Sequence, residues 1–218
     1  MPVRFSHILV LDFDGTLTTA DVGDAVCQRY APPSWREIDD RWVRHEISLP
    51  EAQRAMWALV RLRQEEAIDF VRSHIELRPG LDALLDGAAA RGIPVWLASG
   101  GFDFYIDALL GERRARFARA WYSRARFTGD RILVEFPHDD LACGRCAVCK
   151  GRVCDLARAA GASPLFVGDG HSDRCVVGHA DRVAAVRGST LARHLGEHGT
   201  RFVEFERLDE LVAWLDAD

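Results

Sequence analysis

Asp12 and Asp14 directly follow a short apolar run, HILVL at 7–11, and they are the first residues whose types and spacing could do chemistry. Side chains two apart on extended backbone point to the same side, so both carboxylates can aim at one spot beyond the strand's carboxyl end. Gly15 lets the chain turn sharply, and Thr16 can hydrogen-bond back into the turn. Taken alone, the pair also fits an Asx-type turn with two solvated acids. A second stretch, FVGDGHSD, puts Asp169 just past another apolar run and Asp173 four residues on, in the first turn of a helix. Carboxylates on neighbouring strand ends repel unless a cation sits between them, and hard oxygen donors with room for water suit Mg²⁺.

Two further features bear on an anion. Ala98-Ser99-Gly100-Gly101 offers a hydroxyl followed by unobstructed backbone N–H groups, which can cradle a small anion. A plain Gly-rich turn has the same spelling. Lys150 is the only lysine among 218 residues. It opens a helical pattern, where a cation opposes the helix dipole unless it reaches forward to a negative group. The competing reading is a solvated lysine in a loop. Together these groups meet the demands of phosphate-monoester hydrolysis. A carboxylate nucleophile approaching a dianion faces about 4 kcal/mol per close charge pair at 4 Å and an effective dielectric near 20. Mg²⁺ and Lys150 would offset that repulsion.

These residues need a scaffold that brings distant strand ends together. HILVL (7–11), IPVWLAS (93–99) and PLFVGDG (164–170) read as strands buried on both faces, with RVAAV (182–186) a weaker fourth and RFVEF (201–205) an edge. Helical patterns at 81–92 and 152–161 close on Gly92 and Gly161. This alternation predicts an α/β fold, a Rossmann-like doubly wound parallel sheet. Residues 18–75 break the rhythm with four helical patterns and no strand, which predicts a helical cap over the site. The catalytic core is then 1–17 and 76–218, with a hairpin at 122–136 and a Cys-rich loop at 138–154. The basic, aromatic stretch 112–127 reads as a solvated helix face rather than an RNA-binding element.

DFDGT, Ser99, Lys150 and GDGHSD, in that order, resemble the four motifs of the haloacid dehalogenase (HAD) superfamily, and the helical insertion resembles the cap of its phosphoserine-phosphatase-like subgroup. YAPPSW, ISLPEAQRAMW, ASGGFDF and the FPH…C…C…CK run are similar to methionine-salvage phosphatases within it. The Cys-rich run is also similar to phosphoethanolamine/phosphocholine phosphatases. The resemblance implies a Mg²⁺-dependent phosphatase in which Asp12 is the nucleophile and Asp14 the general acid and base. It implies phosphate binding by Ser99, Gly100 and Lys150, metal binding by Asp12, Asp14 and Asp169, and a supporting role for Asp173. Asp21 stands where phosphoserine phosphatases carry a glutamate, so a neutral or keto-enol phosphate is expected before phosphoserine or another phosphorylated amine. Arg41 and Arg44 are candidate polar partners for such a substrate.

Cys143, Cys146, Cys149 and Cys154 are spaced x2, x2, x4, which suits structural Zn²⁺, with His138 able to replace one thiol. Reduced packed thiols and a disulfide remain open as alternatives. Cys27 and Cys175 read as buried spectators. A metal–thiolate or redox protein on an inactive phosphatase fold is the rival of another class. The net charge of −5 argues against a nucleic-acid binder. The apolar run near the start is too short for a signal peptide, and no stretch approaches a membrane span. The expectation is a cytoplasmic enzyme acting on a small phosphorylated metabolite, with no nucleic-acid or membrane partner.

Overall fold

The structure, a computed structural model, describes residues 5–138, 141 and 143–216. Its centre is a seven-stranded sheet of order β4-β3-β2-β1-β5-β6-β7. The strands are β1 (His7–Leu11), β2 (Val95–Phe102), β3 (Arg119–Thr128), β4 (Arg131–Glu135), β5 (Ser163–Gly168), β6 (Arg182–Val186) and β7 (Val203–Phe205). All pairings are parallel except β3 with β4.

Alternation along the strands builds two cores. Leu9, Leu11, Val95, Leu97, Leu165 and Val167 face one side, while Ile8, Val10, Trp96, Ala98 and Phe166 face the other. Successive strand side chains point to opposite faces, so near-continuous apolar runs are what a sheet covered on both sides requires. The covering helices include α5 (Leu81–Ala90), α6 (Asp103–Leu110), α7 (Lys150–Ala159), α8 (Thr190–Glu197) and the short α9 (Leu211–Trp214) (α1–α4 belong to the insertion between β1 and α5). No helix among the described residues is long and apolar enough to cross a membrane.

The strand order reverses at β1. The chain runs outward from β1 to β4, then returns to β5 on the other side of β1. Ligands of open α/β sheets bind in the crevice at such a switch point. In register, Leu11 lies opposite Leu97 and Val167, so Asp12 and Asp169 emerge from adjacent strand ends and Ser99 lies at the same edge of the sheet.

The insertion supplies α1 (Val22–Tyr30), α2 (Trp35–Val43), α3 (Leu49–Trp57) and α4 (Gln64–His74). Asp21 caps α1 by accepting the Asp24 N–H at 2.8 Å, and Ser48 with Glu51 forms a capping box on α3. At the neck, Thr18 and Leu77 form an isolated antiparallel bridge. The Arg78 guanidinium crosses that neck, donating to the carbonyls of Gly15 at 2.6 Å and Thr16 at 2.7 Å. The way in and the way out of the insertion are thus tied to the loop that carries Asp14.

Two local expectations are corrected. Residues 112–127 are not one helix face: a 3₁₀ turn, Gly111–Arg116, leads into β3. Arg113 and Arg116 bind Asp82, and Arg116 also reaches Asp86, so much of the positive charge is answered locally. Likewise the strand read at 93–99 does not end at Ser99. β2 continues to Phe102, and its register with β3 shifts between Ala98 and Phe102. A bulge of this kind re-aims a side chain at a strand end, here that of Ser99.

Candidate active site

Asp12, Asp14, Asp21, Ser99, Gly100, Lys150 and Asp169 line one cavity of about 280 Å³ beneath the helical insertion. Asp12 is 4% exposed and its N–H is donated to the Val167 carbonyl at 3.0 Å, which fixes it to the end of β5. Lys150 is buried at the start of α7. Its Nζ lies 3.4 Å from Asp12 Oδ1 and 3.0 Å from Asp173 Oδ1, and it donates to Ser172 Oγ at 2.7 Å. Burial works against the ammonium, but Asp12 and Asp173 outweigh it and hold the lysine pKa well above its ordinary value.

Asp173 acts as a hub. Its Oδ2 accepts the N–H groups of Asp169 and Gly170 at 2.9 and 2.8 Å, while Oδ1 faces Lys150. A side chain on Gly168 would run into that carboxylate, so the strand can end there only on glycine. Gly15 has the same kind of constraint: its φ of +73° is left-handed, and a Cβ would meet the Asp169 carboxylate.

One carboxylate oxygen each of Asp12, Asp169 and Asp173 lies within 4.8 Å of the others. Burial, followed by Asp173 and Asp169, pushes Asp12 well above the ordinary carboxylate range despite Lys150. Burial and then Asp173 push Asp169 up to about 7, against the Thr16 hydroxyl that donates to it at 2.6 Å. Hard oxygen donors crowded until they resist ionisation fit a divalent cation such as Mg²⁺, whose charge would relieve that crowding.

Asp14 is held differently. Tyr105 Oη donates to its Oδ2 at 2.9 Å, Ser99 Oγ to the same oxygen at 3.3 Å, and the Val22 N–H to Oδ1 at 3.2 Å. Burial raises its pKa well above normal, with Asp21 adding to the shift and the Tyr105 hydrogen bond opposing it. Ser99 Oγ in turn accepts the Gly101 N–H at 2.9 Å. A Cβ on Gly101 would collide with both Tyr105 Oη and Asp14 Oδ2.

Sequence reasoning missed Tyr105 and Gln53. Gln53, on α3, donates to the Gly100 carbonyl at 3.1 Å, and its Oε1 has no partner among the described residues. His171 Nε2 is similarly unpartnered. Both residues line the cavity. The capping box starting at Ser48 was the available signal for α3, but nothing local says which face of α3 meets the Gly100 loop. Arg41 and Arg44 do not line the cavity; they lie exposed, paired with Glu46 at 3.5 and 2.8 Å.

The thiols are arranged otherwise than their spacing suggests. Cys143, Cys146 and Cys149 place their sulfurs within 4.8 Å of one another, while neither Cys154 nor His138 belongs to that set among the described residues. Cys175, read as a spectator, is also outside that set, but it lines a neighbouring cavity with Cys143 and Cys146. Cys27 is buried in α1, and all six cysteines are free.

The family description "haloacid dehalogenase-like hydrolase" matches residues 9–177. A 2-hydroxy-3-keto-5-methylthiopentenyl-1-phosphate phosphatase from Geobacillus kaustophilus is 34% identical over 82% of each chain. One of the same name from an Exiguobacterium species is 30% identical over 96% of this chain and 97% of its own. In fold, the chain resembles a structure described as a phospho-aspartyl intermediate analogue of phosphoserine phosphatase, with a TM-score of 0.73 at 18% identity, covering 97% and 99% of the two chains. A HAD family hydrolase from Salmonella enterica serovar Typhi gives 0.75 at 16% identity, over 100% of this chain and 73% of its own. With matched residues running from β1 through the GDGHSD loop, the chain belongs to the haloacid dehalogenase-like hydrolase family and is a phosphatase.

Proposed function

We propose that this phosphatase hydrolyses a small phosphate monoester in the cytoplasm through an aspartyl phosphate on Asp12, with residues 18–75 acting as a cap. The observation that carries this reading is the position of Lys150 Nζ, 3.4 Å from Asp12 Oδ1, in a cavity also lined by Asp14, Ser99 and Asp169. An Asp12 carboxylate oxygen bonds to phosphorus as the ester oxygen departs, and Asp14 gives that oxygen a proton. Asp14 then takes a proton from water, whose oxygen attacks phosphorus, releasing inorganic phosphate and restoring the Asp12 carboxylate. Ser99 Oγ, the Gly100 N–H and Lys150 hold the phosphoryl oxygens and balance their charge. Asp12, Asp169 and the Asp14 backbone carbonyl would hold Mg²⁺, which supplies charge neutralisation at the phosphoryl group. Asp173 keeps Lys150 in place.

For the substrate we propose 2-hydroxy-3-keto-5-methylthiopentenyl-1-phosphate, on the strength of the two relatives of that name. The cavity chemistry supports it. Gln53 lines the cavity and its buried Oε1 has no partner among the described residues, which leaves an acceptor for an enol or hydroxyl hydrogen once the side chain turns to it. Met56 and Trp57 offer apolar surface to a thioether tail. Asp21, Asp24 and Asp39 line the same cavity and favour a second reading, a phosphorylated amine such as phosphoethanolamine, whose ammonium they would attract.

Hydrolysis of p-nitrophenyl phosphate that needs Mg²⁺ and falls at least about 10⁴-fold in Asp12→Asn is the expected result. Activity unchanged by that substitution rejects the mechanism. A panel of phosphorylated metabolites separates the substrates: a higher kcat/KM for the enol phosphate than for phosphoethanolamine, phosphocholine or phosphoserine supports the first reading, and the reverse order the second.

A further inference from the structure

We infer that Cys143, Cys146, Cys149 and Cys175 form a structural Zn²⁺ site that staples the Lys150 loop to the GDGHSD loop. In a tetrahedral thiolate site Zn–S distances are about 2.3 Å, which sets the sulfurs roughly 3.8 Å apart. Three of the four sulfurs already lie within 4.8 Å of each other. Cys175 stands outside that set but lines one cavity with Cys143 and Cys146. Cys175 reaches it from a 3₁₀ turn, His171–Val176, far along the chain.

The first turn of α7 packs directly on the turn that carries Cys175: a Cβ on Gly151 would collide with the Cys175 backbone carbonyl. Four thiolates around Zn²⁺ leave two net negative charges. Arg145 and Arg174 line the adjoining cavity with Cys143, Cys146 and Cys175. Arg174 Nε is buried without a partner among the described residues, a cationic donor beside the anionic cluster. Binding is a simple exchange: the thiols release their protons to solvent as four Zn–S bonds form, with no oxidant or reductant involved.

The site has a positional consequence. Cys149 immediately precedes Lys150, and the Cys175 sulfur, whose thiol donates to the Ser172 carbonyl at 3.3 Å until a metal replaces its proton, follows Ser172 by three residues. Ser172 Oγ receives a hydrogen bond from Lys150, and Asp173 pairs with the same ammonium. A metal joining residues 149 and 175 therefore clamps the backbone on both sides of the lysine. Cys154 lies inside α7, fully buried in the core cluster with Val153 and Ala157 and outside the sulfur cluster.

The test uses the full chain, purified without chelator and incubated anaerobically with Zn²⁺. We expect about one tightly held zinc per chain, lost roughly ten-fold or more in Cys175→Ala and retained in Cys154→Ala. Exchange with Co²⁺ in the wild-type protein should give tetrahedral d–d bands and sulfur-to-cobalt charge-transfer absorption of four-thiolate intensity. This readout does not depend on whether a variant folds. Less than about half an equivalent of zinc in the wild type overturns the inference. So does full zinc retention in Cys175→Ala, or a cobalt spectrum with fewer than four thiolates.

Discussion

Tyr105 gives its hydroxyl hydrogen to Asp14 Oδ2 at 2.9 Å from the helix that follows β2, across a separation of 91 residues. The ring is buried against Phe13, Phe102 and Phe104, so the hydroxyl cannot swing away. Burial first, and then the Asp14 and Asp21 charges, raise the phenol pKa well above 10, so Tyr105 stays a donor throughout the working range. It therefore fixes which Asp14 rotamer meets the leaving oxygen.

Tyr105→Phe keeps the ring and removes only that donor. A hydrogen bond to a charged group is worth about 1.5–3 kcal/mol, which corresponds to a kcat loss of roughly 10–100-fold. The bond lowers the Asp14 pKa, so its removal raises that pKa further; for an ester whose leaving oxygen needs the Asp14 proton, this moves the alkaline limb of the kcat–pH profile upward. A substrate with an alkoxide leaving group should lose more than p-nitrophenyl phosphate, whose phenolate departs without a proton. An alkaline limb that stays in place in Tyr105→Phe would show that this bond does not tune Asp14.

Lys150 is buried between two carboxylates, and breaking such a pair costs about 3–5 kcal/mol because the surviving charges lose their counter-ion. Lys150→Met should lower stability to urea by that order in Mg²⁺-free buffer, with part of the loss recovered on adding Mg²⁺. Hydrolysis should fall at least about 10³-fold. Lys150→Arg should not restore it, because the planar guanidinium needs more room than a compact ammonium beside Ser172. Recovery of kcat in the arginine variant would reduce the lysine to a source of charge.

Legibility in the sequence was a matter of locality. The acids at 12, 14 and 169 are readable because each ends an apolar run, and parallel strands in register must deliver their ends to one edge. Tyr105 and Gln53 were not, because their roles depend on how α6 and α3 dock, and docking is set by tertiary packing. Cys154 and Cys175 make the same point from the other side. The x2, x2, x4 spacing favoured Cys154, but once α7 begins at Lys150 a residue four places on is carried into the core cluster with Val153 and Ala157. Cys175 is instead carried by the loop after β5 to line one cavity with Cys143 and Cys146.

Gln53 is the side chain of the insertion best placed to read the substrate. It lines the cavity, bonds the Gly100 carbonyl, and carries a buried acceptor with no partner among the described residues. One lost hydrogen bond amounts to about 1 kcal/mol, so Gln53→Leu should raise KM for the true substrate several-fold. KM for p-nitrophenyl phosphate, which has no hydroxyl to offer, should move less. Arg44→Ala should leave both values within about two-fold, since an exposed ion pair away from the cavity contributes little. The reverse pattern, Arg44 sensitive and Gln53 silent, would point to a cap geometry that changes when substrate binds.

Asp169 links stability to pH and to Mg²⁺ in a way that can be measured without turnover. Its carboxyl is pushed up to about 7 in the folded protein, by burial first and Asp173 second, while an unfolded aspartate titrates near 3.9. Between those values the folded state binds more protons than the unfolded state, so unfolding free energy decreases as pH rises through the window. For one such group the slope reaches about −1.4 kcal/mol per pH unit and vanishes above pH 7, once both states are ionised. Mg²⁺ binds the carboxylate form, so its stabilisation of the folded chain grows over the same interval and flattens the slope. Urea unfolding at pH 5, 6 and 7 with and without Mg²⁺ measures both effects, and Asp169→Asn should remove this group's contribution to each. A Mg²⁺-free stability that rises from pH 5 to 7 would mean that Asp169 is ionised in the folded protein before any metal arrives.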